Sequence, residues 1–304
     1  MVQPVNCKLG ETCFIQQYVD RDPGRGAVDF TCGPLSYDGH KGTDFRVADL
    51  SAMAAGVDVV SATAGRVVAT RDGMADHAQF GRNAPDVEGR ECGNAVLIER
   101  ADGWQFQYCH LARGSVAVSP GDAVEPGQKL GRIGLSGMTQ FPHLHFQVRD
   151  QAGRIIDPFD AREQNESCRL TDRRTMWATL SPIADYQPGG PLSAGFADGI
   201  PDYDDVRAGT AGQTTLPPDA AGLVFWTHFF GLRNGDRLSL TLYDPDGAEL
   251  ARNAYDATRP RATQFRAVGR RTRTPWPPGV YRGRAVLLRD GAEIDEIEAS
   301  VTVR

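Results

Sequence analysis

The stretch Phe141-Pro142-His143-Leu144-His145-Phe146-Gln147-Val148 has the apolar and branched character of a β-strand. Successive strand side chains point to opposite faces, so His143 and His145 share one face while Leu144 and Phe146 point into a core. Two imidazoles side by side on a rigid strand suit a metal ligand next to a catalytic base. A single His-x-His pair often arises by chance, so its meaning depends on partners elsewhere in the chain.

A second polar pair, His40 and Asp44, occurs in Gly39-His40-Lys41-Gly42-Thr43-Asp44-Phe45. Two glycines so close together disfavour a helix and predict a loop that enters a strand. The imidazole and the carboxylate can then converge from the loop and the strand start. Taken alone, His-x-x-x-Asp is common and is more often a surface pair.

A third histidine, His110, ends a predicted strand. Residues 93–99 and 104–110 read as two strands around a turn at 101–103, which brings Cys92 near Cys109. Strict alternation places His110 on the aromatic face with Phe106 and Tyr108. A buried structural histidine is the ordinary interpretation there.

The chain of 304 residues predicts two domains at about 150 residues each. We predict an all-β protein: a β-rich domain over 1–170 with a cysteine-bearing lead-in, a connector over 171–192, and an antiparallel immunoglobulin-like β-sandwich over 193–304. The sandwich lacks the Cys…Trp…Cys signature, so its prediction rests on strand pattern alone. Within the first domain we expect 57–62 and 65–70 to form a hairpin, and 71–93 to be a polar insertion. His77 in that insertion and His228 in the sandwich are expected to be ordinary loop and core histidines.

Composition narrows the classes of partner. The net charge is −6, and no dense Lys/Arg tract stands out, which disfavours a nucleic-acid or anionic-membrane partner. No window approaches the roughly 18 apolar residues of a transmembrane helix, and residues 1–5 do not resemble a secretory signal. We expect a mature exported protein whose signal peptide is absent from this chain.

All six cysteines lie in the first 168 residues, and none forms a Cys-x-x-Cys pair. An even number in one region favours disulfides over a zinc knuckle or free thiols, although buried cytosolic thiols remain an alternative. Besides Cys92–Cys109, proximity favours Cys7–Cys13, which leaves Cys32–Cys168 by elimination.

Three segments together resemble the lysostaphin/LytM-type zinc endopeptidases, which cleave peptidoglycan peptides. The resemblance runs from about Tyr37 to Pro158, and three motifs in the family's order are far more specific than any one of them. The motifs are Gly39-His40-Lys41-Gly42-Thr43-Asp44-Phe45, Tyr108-Cys109-His110-Leu111 and Gly137-Met138-Thr139-Gln140-Phe141-Pro142-His143-Leu144-His145-Phe146.

The resemblance implies one Zn²⁺ ion, held by His40, Asp44 and His145, and a catalytic pair, His110 and His143. It also implies metal-assisted hydrolysis of peptide bonds in peptidoglycan, in the periplasm or cell envelope. One histidine of the pair would take the proton of the attacking water and the other would steady the oxyanion. The sequence does not decide between them, and His143 is the favoured base.

Three alternatives remain open. The lead-in and the insertion 71–93 lie outside the family's minimal core, and Gln16, Gln17 or a lead-in aspartate is a candidate blocking ligand. The chain would then be a catalytically blocked or regulatory wall-binding module. The same zinc chemistry would also serve a peptidase of ordinary proteins. For the second domain we expect a role in binding the wall or a protein partner.

Overall fold

The computed structural model describes residues 1–78, 86–162, 173–178, 183 and 185–304. It divides into two compact units, Met1–Gln187 and Pro188–Arg304. The boundary falls inside the segment 171–192 that we expected to be a connector. Trp177 and Ile183 of that segment are buried in the core of the first unit, because both side chains are apolar. Within the described part of the chain, no helix is long and apolar enough to cross a membrane.

The first unit is built almost entirely from short strands. In chain order its described elements are β1 (Phe14–Gln17), β2 (Thr43–Arg46), α1 (Leu50–Ala55), β3 (Asp58–Val60), β4 (Gly65–Arg71), β5 (Asn94–Glu99), β6 (Gln105–Leu111), β7 (Ala123–Val124), β8 (Lys129–Arg132), β9 (His143–Arg149) and β10 (Ile155–Ile156). The main sheet has the order β1-β2-β9-β6-β5-β4-β7, with β10 paired to β9, and β3 and β8 form a separate two-stranded sheet. The neighbouring strands pair antiparallel, as the predicted fold class requires.

Strand β9 lies between β2 and β6 and shows the predicted alternation. Leu144, Phe146 and Val148 are fully buried in the core, whereas His143 and His145 share the opposite face. The register sets Asp44 opposite His145 and Arg46 opposite His143. On the other side of β9, Cys109 is opposite His145. Three strands that are distant in sequence therefore bring the predicted site residues to one place.

The predicted hairpin of residues 57–62 and 65–70 is wrong. Strand β3 pairs with β8, while β4 pairs with β5 and β7. The chain crosses between the two sheets at residues 61–64, where the backbone N–H groups of Ser61 and Ala62 donate to Gln128 O and to the Tyr108 hydroxyl. These partners replace the cross-strand bonds that a hairpin would need.

The lead-in is an integral part of the first unit. Strand β1 pairs with the outer edge of β2. The rings of Tyr18 and Phe30 pack with Phe159 and Tyr186 at centroid distances of 4.9–5.5 Å. Because these aromatic side chains come from both ends of the unit, residues before 38 and after 158 share one core with the central sheet.

Two predicted disulfides are present, Cys7–Cys13 and Cys92–Cys109. Cys32 is also disulfide-bonded. Cys168, its expected partner, lies outside the described residues.

The second unit is a β-sandwich, as predicted. Its described elements are β11 (Gly190–Ala197), α2 (Tyr203–Ala208), β12 (Thr215–Leu216), β13 (Gly222–Leu232), β14 (Arg237–Tyr243), β15 (Glu249–Asp256), β16 (Arg261–Arg271), β17 (Gly279–Arg289) and β18 (Ala292–Val303). One sheet has the order β11-β13-β16 and the other β12-β18-β17-β14-β15. Strands β11 and β15 were not predicted, since their apolar residues do not alternate cleanly.

The two sheets of this unit share one buried core. Phe225 of β13 packs with Leu240 of β14 and Tyr281 of β17 in it. A Cβ at Gly283 would lie 2.2 Å from the Phe225 ring, so only glycine allows the sheets to approach at this point.

Candidate metal centre

His40, Asp44 and His145 bring three ligand atoms together. Nε2 of His40 lies 3.2 Å from Oδ1 of Asp44 and 3.2 Å from Nδ1 of His145. The third side of the triangle, from Oδ1 of Asp44 to Nδ1 of His145, is 2.9 Å. Tetrahedral zinc with bonds of about 2.0–2.1 Å holds its ligand atoms about 3.3 Å apart. Two imidazole nitrogens and one carboxylate oxygen at these separations fit that geometry.

Backbone contacts fix the orientation of the His40 ring. Its Nδ1–H donates to the Tyr18 carbonyl at 2.7 Å, which directs Nε2 at Asp44. Metal-bound histidines commonly donate their other N–H in this way. The lead-in is therefore part of the candidate site, although the sequence offered no sign of this contact because a backbone carbonyl has no residue signature.

Asp44 and His40 influence each other's protonation. Burial alone would raise the pKa of Asp44, but the nearby His40 and His143 rings and hydrogen bonds from His145 and His40 hold this pKa well below its usual range. Burial opposes the charged form of His40, yet the Asp44 carboxylate raises the pKa of that ring. Asp44 is thus an ionised, buried ligand candidate.

His143 lies beside the triangle with its orientation fixed. Its Nδ1–H donates to the Phe141 carbonyl at 2.8 Å, and Nε2 lies 3.5 Å from Oδ1 of Asp44. The Phe141 ring stacks on the imidazole at 4.4 Å, and the Arg46 guanidinium lies 4.8 Å from the centre of the Phe141 ring. Burial lowers the pKa of His143, so the neutral ring with a free Nε2 is favoured.

The prediction that His110 lies on the aromatic face of its strand is wrong, because β6 contains a bulge. Between the pairs Asn94–Leu111 and Val96–Tyr108, two residues of β6 oppose a single residue of β5. His110 has a φ of 64°, a conformation that few non-glycine residues adopt. Its ring consequently lies 4.7 Å from that of His143 and 5.9 Å from that of His145, on the site side of the sheet. Simple alternation could not anticipate this.

His110 is held as a neutral ring as well. Its Nδ1–H donates to the Ser136 carbonyl at 2.8 Å, which leaves Nε2 without its proton. Burial, reinforced by the neighbouring His143 and His145, keeps the pKa of His110 well below its usual range. The predicted site residues are therefore all brought together, and they also form a second three-histidine group, His110, His143 and His145.

Gly42 makes room for the ligand His145. A Cβ at this position would lie 2.6 Å from Nε2 of His145 and 2.7 Å from the Phe146 carbonyl oxygen. The glycine in the motif is thus explained by close approach to a ring rather than by a turn.

Tyr37 is a site neighbour that the sequence analysis did not single out. Its ring lies 4.5 Å from that of His40, and the residue is 51% exposed. Burial of its hydroxyl and the Asp44 charge raise the pKa of Tyr37, so the phenol keeps its proton. An exposed aromatic ring with a hydrogen-bond donor at the rim is well placed to meet a ligand.

Two of the candidate blocking residues have other partners. The Gln16 amide oxygen accepts from Arg46, and Asp20 accepts backbone N–H groups from Asp22, Val28 and Gly39. Among the described His, Cys, Asp and Glu residues, the groups that could hold a metal at this centre include no lead-in aspartate. His77 and His228 also lie outside these groups, as expected.

The part of the chain that contains this centre matches a known protein family. Residues 38–158 match the sequence profile of Peptidase family M23. This segment belongs to peptidase family M23. The predicted resemblance to lysostaphin/LytM-type peptidases is confirmed.

Several curated relatives match parts of this segment. The cell division protein DipM of Caulobacter vibrioides is 42% identical over 57 residues, 19% of this chain and 9% of that protein. The peptidoglycan DD-endopeptidase ShyA of Vibrio cholerae is 32% identical over 109 residues, 36% of this chain and 20% of that protein. The chain thus spans a fifth or less of the length of these relatives.

Solved structures of the family align with the chain at low overall similarity. The catalytic domain of the prophage-encoded M23 protein EnpA from Enterococcus faecalis aligns with a TM-score of 0.34 and 21% identity, covering 49% of this chain and 91% of that one. The role of each site residue stays a prediction that rests on the geometry described above.

Proposed function

We propose that the first unit is a zinc-dependent endopeptidase that hydrolyses peptide bonds in bacterial peptidoglycan, in a stem peptide or a cross-link. The observation that carries the proposal is the convergence of His40, Asp44 and His145 next to two further neutral imidazoles. The M23 segment and the name of the ShyA relative support the substrate class. The two described disulfides and the wall substrate favour an exported protein of the periplasm or cell envelope.

His40, Asp44 and His145 would hold one Zn²⁺ ion. Bound there, it would supply Lewis acidity to the scissile carbonyl and to the attacking water. The protein's own contribution is to bring two imidazole nitrogens and an ionised carboxylate oxygen to one point. The Tyr18 carbonyl orients the His40 ring, and the surrounding histidines keep Asp44 ionised.

His143 is assigned as the general base. Its Nε2 can accept the water proton while the Phe141 carbonyl keeps the other nitrogen protonated. The Asp44 carboxylate at 3.5 Å stabilises the imidazolium that results. The same proton can then pass to the leaving amine. Nε2 of His110 carries no proton in the resting site, so it would donate to the tetrahedral oxyanion only after taking up a proton as negative charge develops there. The Tyr37 hydroxyl at the rim keeps its proton throughout and would also donate.

Digestion of purified peptidoglycan tests this function. The zinc-loaded protein is expected to release soluble fragments whose masses identify the cleaved bond, and a chelator is expected to stop the release. Zinc binding without fragment release from any wall type would favour the blocked or regulatory module instead. Release from casein at a similar rate would favour an ordinary protein peptidase.

For the second unit we propose a role in holding the enzyme on the wall or on a protein partner. Deletion of residues 188–304 is expected to weaken co-sedimentation with peptidoglycan while the first unit retains its zinc. Unchanged co-sedimentation would remove this role.

A further inference from the structure

The last residues of the insertion that follows β4 help to hold the backbone of His110 in place. The His110 N–H donates to the Cys92 carbonyl at 2.8 Å, and the Gly134 N–H donates to the His110 carbonyl at 3.0 Å. These bonds hold the backbone of His110 in its left-handed conformation. Without them, an ordinary strand would return the ring to the opposite face.

The same short segment also fixes the loop that orients the His110 ring. The Met138 N–H donates to the Glu91 carbonyl at 2.7 Å, and the Asn94 N–H donates to Ser136 Oγ at 2.9 Å. The Ser136 hydroxyl in turn donates to the Leu111 carbonyl at 2.7 Å. Residues 91–94 are therefore wedged between β6 and the loop whose Ser136 carbonyl accepts from the His110 ring.

One covalent bond closes this arrangement. The disulfide Cys92–Cys109 joins the wedge to the residue directly before His110. Cys109 is 3% exposed, whereas Cys92 is partly exposed, so a reductant meets the bond from the Cys92 side.

We propose that the Cys92–Cys109 disulfide is a positioning element for His110, so that full turnover requires the oxidised protein. A dithiol reductant would transfer two electrons and two protons to the two sulfurs, leaving two thiols here and a disulfide in the reagent. The wedge would then detach, and the His110 ring would lose its place beside His143. Cys109 lies opposite the ligand His145 across β6 and β9, but among the described residues His40, Asp44 and His145 form no hydrogen bond with either cysteine, and they would still bind metal. The expected loss of turnover rests on the proposed function, whereas the expected displacement of His110 does not.

The test compares C92A/C109A with C7A/C13A, which removes the other described disulfide. We expect C92A/C109A to retain zinc affinity and KM while kcat falls by about 10- to 100-fold, the cost of displacing a catalytic group by about 1 Å. C7A/C13A should retain wild-type kcat. Dithiol treatment should lower the kcat of wild type and leave that of C92A/C109A unchanged.

Hydrogen exchange of the His110 amide provides a readout that does not depend on activity. This amide should be protected in the oxidised protein and exchange faster in folded C92A/C109A. If wild type has no peptidase activity but the His110 amide exchanges faster in C92A/C109A than in wild type, the proposed function fails and the structural inference holds. Equal protection and equal kcat in folded C92A/C109A and wild type would overturn the inference.

A separate feature of the second unit supports an interaction surface. Residues 259–273 contain six arginines and no acidic residue, within a chain whose net charge is −6. This segment includes β16, the edge of the three-stranded sheet, and β16 lies beside β15, the edge of the five-stranded sheet. The Arg266 guanidinium over the Tyr255 ring at 3.6 Å joins the two edges.

These arginines have few acidic neighbours. The two acidic residues of β15, Glu249 and Asp256, are paired with Arg252 and Arg237. Four arginines on the segment are exposed, and no ion pair involves them among the residues the structure describes; they are Arg259, Arg270, Arg271 and Arg273. Arg259 precedes β16, and Arg270, Arg271 and Arg273 lie at and just beyond its other end, so the exposed charges lie at both ends of a strand that spans about 33 Å. We call this edge of the sheet the arginine edge.

We infer that the arginine edge binds an envelope polyanion with repeated phosphate or carboxylate groups. A guanidinium pairs with either group through two parallel hydrogen bonds, and exposed charges at both ends of one long strand suit a linear polymer that reaches from one end to the other. The disulfides and the M23 segment favour an envelope polymer over nucleic acid.

Binding of the full chain to polyphosphate and to poly-glutamate tests this surface and separates the two chemistries. We expect salt-sensitive binding to at least one, and a loss of at least about tenfold in R270E/R271E/R273E. The control R25E/R282E/R304E changes the net charge equally and should retain affinity. Equal losses in both variants, tighter binding to duplex DNA, or aggregation of the edge variant with unchanged affinity would each overturn the inference.

Discussion

Asp44 and His145 face each other across β2 and β9, and Oδ1 of Asp44 lies 2.9 Å from Nδ1 of His145. Each belongs to a strand that is hydrogen-bonded on both sides, so neither backbone is free to move. Two of the three candidate metal ligands are thus held by the sheet, whereas His40 lies in the loop before β2 and is held by the Tyr18 carbonyl.

Replacement of His145 by alanine should abolish zinc binding and peptidase turnover together, because only two of the three ligand atoms remain. Metal content after dialysis and fragment release from peptidoglycan measure the two effects. His77→Ala is the matched control, since His77 belongs to none of the metal-ligand groups. Zinc retained at one equivalent in His145→Ala protein would contradict the ligand assignment.

Replacement of His143 by glutamine should leave zinc bound but lower kcat by about 10²- to 10⁴-fold, the usual contribution of a general base. Glutamine is similar in size and can be held by the same carbonyl. His110→Gln should also retain zinc, with a loss of kcat that reflects oxyanion binding instead. Turnover at the wild-type rate in either variant would show that His110 and His143 do not share the catalytic work.

Alanine at Gly42 should weaken zinc binding by at least about tenfold, because the new methyl group would displace the His145 ring by a few tenths of an ångström or more. Zinc competition with a chromophoric chelator measures the change. Gly199→Ala serves as the control, since a Cβ there meets no atom within 4 Å. Equal zinc affinity in both variants would show that His145 accommodates the methyl group.

A fragment of residues 38–158, the segment that matches the family profile, should fail to bind zinc stably. It lacks the Tyr18 carbonyl that orients His40 and the whole aromatic cluster of Tyr18, Phe30, Phe159 and Tyr186. A fragment of residues 1–187 contains the whole first unit and should bind zinc with the affinity of the full chain. Circular dichroism and zinc titration of both fragments measure folding and zinc affinity. Equal zinc affinity in the two fragments would refute the expectation.

Stability of the first unit should decrease as pH rises from about 4 to 7, through Asp157. Burial raises the pKa of Asp157 from 3.8 to about 7, although Arg21 lies 3.7 Å away. Between these pH values the folded state retains a proton that the unfolded state has lost, so the free energy of unfolding falls, by up to about 4 kcal/mol. Below pH 4 the contribution is fully present, and above pH 7 it is gone.

Urea unfolding of wild type and Asp157→Asn across this range isolates the effect. Asparagine does not ionise, so the difference in unfolding free energy between the two proteins should change with pH in that window only. A constant difference from pH 4 to 8 would exclude a raised pKa.

The strands of both units were largely predictable because apolar alternation determines which residues are buried. Leu144, Phe146 and the sandwich strands illustrate this. Pairing was less predictable, since the partner of β3 is β8, about 70 residues away in sequence, and local pattern does not encode such separations. Helix α1 was missed because it is short and buries no residue.

At the site, residue types were predictable and supporting contacts were not. His40, Asp44 and His145 carry side-chain chemistry that a motif can record. The bulge at His110 and the carbonyls of Tyr18, Phe141 and Ser136 act through the backbone, for which any residue would serve. The expectation that the chain has no dense Lys/Arg tract missed residues 259–273, where other residues separate most of the arginines, and the position of this segment at a sheet edge is visible only in the fold.

The pairing of β2 with β9 has a consequence for synthesis of the chain. Asp44 and His145 are 101 residues apart, so the proposed centre cannot close until β9 has emerged from the ribosome and docked on β2. A nascent or truncated chain carries the first two ligands without the third. The cell that makes this protein would therefore contain an active peptidase only after the first unit has finished folding.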